Sequence, residues 1–99
     1  MGRIIRIATM AENVPEAVDL GMQTAGKLLL KNQGSNDILI GYDRSDVLAA
    51  TAANYMTLDA GTLLMFDAGP GVGFVNQTSL MWFNATGGDS TLEIWIATP

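Results

Sequence analysis

TSLMWFNATGGDSTLEIWIA, residues 78–97, carries two apolar runs on either side of Thr86-Gly87-Gly88-Asp89-Ser90. Each run is seven residues or so of aromatic and β-branched side chains, the composition of a strand, and the glycines between them supply a reversal. The reading is two strands, 79–85 and 91–97, joined as a hairpin. Side chains on a strand alternate between faces, which splits each run into two sets. Leu92, Ile94 and Ile96 share one face, and Glu93, Trp95 and Ala97 the other. Leu80 and Trp82 oppose Met81 and Phe83 in the same way. Both strands are apolar on more than one side, although a single sheet can hide only one.

Working back along the chain, the same texture recurs. NYMTLDAGTLLMFD, residues 54–67, reads as strands 54–58 and 62–66 reversing at Asp59-Ala60-Gly61 as a second hairpin. Here too Leu63 and Met65 oppose Leu64 and Phe66. GKLLLKN gives a strand over about 27–32, NQGSND a turn, and DILIGYD a strand over 37–43. RSDVLAATAAN, residues 44–54, fits a short helical turn or a loose strand equally well. The first 26 residues differ: GRIIRIA is a plausible strand and PEAVDL a single helical turn, so 1–26 is read as an N-terminal arm and linking loop, with the domain proper spanning 27–99. The expected fold is all-β, a two-sheet antiparallel sandwich, jelly-roll-like, of about seven to eight short strands.

The segment AGPGVGF, residues 68–74, spaces three glycines at alternate positions. A phosphate loop needs a helix N-terminus and usually a lysine behind it. Asn-Gln-Thr-Ser follows instead, and the segment reads as a connector whose Pro70 and glycines set the backbone.

Composition narrows the chemistry. The chain has no cysteine and no histidine, which removes thiol nucleophiles, thiolate metal sites and the usual general base near neutral pH. An enzyme is therefore not expected, nor is a cofactor or metal. Asp43-Arg44-Ser45-Asp46 places two carboxylates close together, but no further ligands follow at calcium-loop spacing, and the cluster reads as a solvated loop. The net charge is −5, and every Lys and Arg lies within the first 44 residues, where acids balance them. Without a basic cluster, nucleic acid is disfavoured as a partner. No apolar run approaches the length of a membrane span, so no membrane is expected, and synthesis in the cytoplasm is the expectation. The sequons at Asn76 and Asn84 read as chance occurrences. With 48% hydrophobic and only 15% charged residues, much of the surface must be apolar, which on a soluble chain points to partners.

The order GKLLLKNQGSNDILIGYDRSDV, NYMTLDAGTLLMF, SLMWFNATGGDSTLEIWIA resembles small virion accessory proteins of tailed bacteriophages, over residues 27–97. That resemblance implies a capsid decoration or cement subunit, often a trimer, that binds adjacent major capsid proteins on the outside of the head and is assembled in the host cytoplasm. It also implies that an arm such as MGRIIRIA reaches across a neighbour. Ile4, Ile5 and Ile7 of that arm, with Met81, Phe83 and Trp95 of the terminal strands, are the expected interface residues. Trp95 is open to three readings: an interface anchor, a platform for sugar stacking, or core. Trp82 is read as core. The alternatives to a decoration protein are a tail or head-fibre component and a carbohydrate-binding sandwich module.

Overall fold

The computed structural model describes residues 2–22, 25–48, 55–68 and 80–97. Eight strands and one short helix follow in order: β1 (Gly2–Met10), β2 (Glu16–Asp19), β3 (Gly26–Asn32), β4 (Asp37–Gly41), α1 (Arg44–Leu48), β5 (Met56–Leu58), β6 (Leu63–Ala68), β7 (Leu80–Thr86) and β8 (Ser90–Ala97). They form two four-stranded sheets, β1-β8-β3-β6 and β2-β7-β4-β5, antiparallel throughout.

The pairing has a simple rule. The first strand pairs with the last, β2 with β7, β3 with β6, and β4 with β5. The chain is thus one long hairpin folded at β4 and β5 and rolled up, so that β3 closes on β8 and β4 on β7. That is the eight-stranded jelly roll.

The rolled topology corrects both expected hairpins. β7 and β8 lie in opposite sheets, and so do β5 and β6. The Gly87-Gly88-Asp89 connection is therefore an arch between sheets. Gly87 has φ 83° and Gly88 φ 145°, backbone that side-chain-bearing residues rarely adopt. Asn36 closes over this corner, donating to Asp89 O at 2.8 Å.

The N-terminal reading is also corrected. Gly2–Met10 is not an arm, because it pairs with β8 from Gly2–Ala97 through Ile7–Leu92. PEAVDL contains a strand rather than a helical turn, with Glu16–Asp19 paired to Leu80–Phe83. Both segments gain ladder bonds and bury apolar side chains in the sandwich, which outweighs weak local helical propensity. Residues 44–48 are helical; residues 49–54, the glycine-rich connector over 69–74 and the sequon at Asn76 lie outside the described residues.

The core lies between the sheets. Leu92, Ile94 and Ile96 of β8 and Leu28 and Leu30 of β3 meet Ile38 and Ile40 of β4 and Met81, Phe83 and Ala85 of β7. α1 then covers the far side of the second sheet, packing on β4 and β7. Val47 is fully buried there, Leu39 nearly so, and Asn84 donates to Val47 O at 2.9 Å. The buried side chain of Asn84 excludes its sequon from the surface. The two-sided apolar character of β4 is thus resolved within the chain, one face being core and Leu39 on the other lying under a helix, whereas on the outer face of β7 only Asn84 is buried and Leu80 stays exposed.

Candidate interaction face

Among the described residues no element covers the first sheet in this way. On its outward face the strand registers align side chains in three rows. The middle row is Ile4 on β1, Trp95 on β8, Leu29 on β3 and Met65 on β6, each directly opposite the next. Four apolar side chains thus run across the full width of the sheet. Ile4 is 72% exposed, Met65 56% and Trp95 49%.

Charge borders this stripe on both sides. One flanking row is Arg6, Glu93, Lys31 and Leu63, and the other is Gly2, Ala97, Lys27 and Asp67. Arg6 Nε lies 3.7 Å from Glu93 Oε2, and Lys27 pairs with Asp67. Gln33 Nε2 donates to Glu93 Oε1. These ion pairs are solvent-exposed and contribute little to folding, at most about 1 kcal/mol each. An apolar centre with a polar, ion-paired margin is the anatomy of a protein interface. Between stripe and margin lies a groove of about 250 Å³ lined by Ile4, Leu29, Lys31, Glu93, Ile94 and Trp95.

Of the expected interface residues, Ile4 and Trp95 stand on this face. Ile5 and Ile7 point the other way and pack, half-buried, against the core. Met81 and Phe83 are buried at 3% and 0% exposure, so they are core residues and not contacts. The pairing of Met81 with Phe83 and of Leu80 with Trp82 holds, but the inward set is the former. Trp82 is half-buried on the side opposite Phe83 rather than in the core. Of Asp43-Arg44-Ser45-Asp46, read as a solvated loop, Arg44, Ser45 and Asp46 open α1 and Asp43 precedes it; Asp43, Arg44 and Ser45 are exposed and Asp46 is buried.

Leu29, Lys31, Leu63 and Met65 belong to the face and are not among the expected interface residues, although alternation in the sequence sets Leu63 and Met65 on one side of their strand. The signal was present in TLLMF, apolar on both sides, but only the register places Met65 and Leu29 in line with Trp95.

No protein-family model matches this sequence, and no curated protein matches it. Among solved structures the chain is similar to the coat protein of Tobacco streak virus, with 14% identity and a TM-score of 0.43 over 100% of this chain and 86% of that one. A likeness at that level carries no argument. The fold rests on the strand pairings described above.

Proposed function

We propose that the protein is a structural component of a virion, a jelly-roll subunit of the capsid decoration or cement type that works by protein contact and not by chemistry. Its partners in this reading are further copies of itself and the major capsid protein, and its place is the capsid surface after assembly in the host cytoplasm. The observation that carries the reading is the exposed row Ile4–Trp95–Leu29–Met65 with its charged margins. Eight-stranded jelly rolls are architectures of capsid and lectin domains, and the six strand pairings of this chain fit both. Ile4 and Trp95 remain interface residues in this proposal, joined by Leu29 and Met65.

The test adds purified protein to capsids that lack it, followed by sedimentation and heating of the particles. Co-sedimentation and a higher temperature of head disruption support the proposal. Absence of binding, together with a monomer in light scattering at all concentrations, overturns it. Electron microscopy of the particle separates a head position from a tail or fibre position.

A second reading is favoured by the groove beside Trp95, where Lys31 and Glu93 supply polar groups next to an indole face. This is the layout of a sugar-stacking platform. Glycan-array binding that is lost in Trp95→Ala but kept in Trp82→Ala supports it, and a silent array removes it.

A further inference from the structure

Resting on the reading that this face contacts protein, we infer that its occupant is a second copy of the chain, related by a two-fold axis that runs along the strands between β8 and β3.

The three rows decide the symmetry. A two-fold along the strands reverses the strand order across the contact, so β1 faces the partner's β6 and β8 faces the partner's β3. In the middle row Trp95 then meets the partner's Leu29, and Ile4 meets the partner's Met65. Both contacts are apolar and each occurs twice. In the flanking row Glu93 meets the partner's Lys31, again twice, and Arg6 lays its stem against the partner's Leu63. In the remaining row the small residues Ala97 and Gly2 leave room for the partner's Lys27 and Asp67, which are already paired within their own chain. Lys31 has no acceptor within bonding distance among the described residues, so it is available to take one from the partner.

Other arrangements fit the rows less well. A two-fold along the apolar row keeps each strand opposite its own copy and sets Lys27 against the partner's Lys31, two like charges. A trimer needs two different complementary patches on each subunit, whereas this face is complementary to itself. The two-fold along the strands also belongs to the aligned class of sheet packing, with layers about 10 Å apart.

The size of the face predicts a modest affinity. Four strands spaced about 4.8 Å and a length of about 20 Å give two faces that together bury on the order of 1,000 Å², near the lower limit for a specific contact. Dimerisation is therefore expected to depend on concentration.

Charge reversal tests the arrangement. Lys31→Glu sets carboxylates against Glu93 across the axis, and Glu93→Lys sets ammonium groups against Lys31. Each variant alone is expected to weaken dimerisation by at least about tenfold. Mixed together, they restore both opposing pairs, so light scattering and native mass spectrometry should show a heterodimer that neither variant forms with itself. Met65→Lys, at an exposed position opposite the partner's Ile4, also lowers the dimer fraction with no effect on folding, which circular dichroism verifies for every variant. Three results overturn the inference: a folded wild-type chain that stays monomeric or forms a trimer, single variants that dimerise as the wild type does, or a mixture without heterodimer. If the wild-type protein nevertheless binds capsids, the virion reading survives and only the two-fold contact is wrong.

Discussion

The Ser90 hydroxyl donates to Asn32 Oδ1 across 2.7 Å, joining the start of β8 to the end of β3 inside the sandwich. Asn32 is fully buried, and every bonding position of its amide is used. Its Nδ2 donates to Asn36 O at 2.8 Å and to Leu58 O at 3.0 Å, and its Oδ1 also accepts from Gly34 N at 3.0 Å. One side chain thus ties the β3–β4 corner to the end of β5 and to the start of β8, three places that the rolled topology brings together. Asn32→Leu strands these partners in the interior. The expected loss is about 2–4 kcal/mol, read as a lower urea midpoint with an unchanged slope.

Two glycines separate steric from backbone effects. A Cβ on Gly34 would lie 2.0 Å from Ser90 Oγ and 2.8 Å from Ser90 Cα, both packed around Asn32. Gly34→Ala must push β8 away and should cost about 2 kcal/mol or more. Gly61 has open space around its Cβ position but φ +74°. Gly61→Ala is expected to cost about 1 kcal/mol, from backbone strain alone. Equal losses from the two substitutions in thermal melts would contradict this account.

The two aromatic residues that the sequence placed together as interface candidates should behave in opposite ways. Phe83→Ala empties a fully buried core position, at an expected cost of about 3–5 kcal/mol. Trp95→Ala removes a half-exposed ring and should leave the melting temperature of the monomer nearly unchanged while reducing self-association. Denaturation at low protein concentration and light scattering at high concentration measure the two effects apart.

Burial displaces the titration of Tyr42. Partial burial raises its pKa above the usual 10.0, because the phenolate loses hydration that the neutral phenol needs less. The folded protein therefore holds the proton more tightly than the unfolded chain. Stability from this source is fully present below pH 10 and falls as pH rises through the folded pKa. Urea midpoints measured from pH 9 to pH 11 should decline, and Tyr42→Phe should flatten part of that decline.

Surface ion pairs are expected to matter little for folding. Lys27→Ala breaks the pair with Asp67, where both side chains are more than 60% exposed, and should shift stability by less than about 1 kcal/mol. A larger loss, measured by thermal melting at low and high salt, would mean that the charged margin supports the fold as well as bordering the apolar row.

The amino-acid sequence alone determined that this is an all-β chain and placed most of its strands. Alternation and turn residues act over a few neighbouring positions, so GKLLLKN, DILIG and TLEIWIA were legible within a residue or two. The same locality hid the sheet partners. Glycines at 61, 87 and 88 announce a reversal but not whether it stays in one sheet or crosses to the other, and here it crosses. β1 was legible as a strand but not as part of a sheet, and β2 was missed for a related reason: a short polar-interrupted segment such as Glu16–Asp19 becomes a strand only because Leu80–Phe83 lies alongside to accept its ladder bonds.

The face was half legible in the same sense. Trp95 and Ile4 could be suspected from apolar alternation, yet Leu29 and Met65 looked no different from core residues on their own strands. Which side of a two-sided apolar strand faces inward depends on what covers the other side. For β4 a five-residue helix decides it, and for β8 no element of the described chain does. The sequence determined the alternation; only the tertiary structure decided which of the two faces was left open, because burial is settled by neighbours distant in the chain.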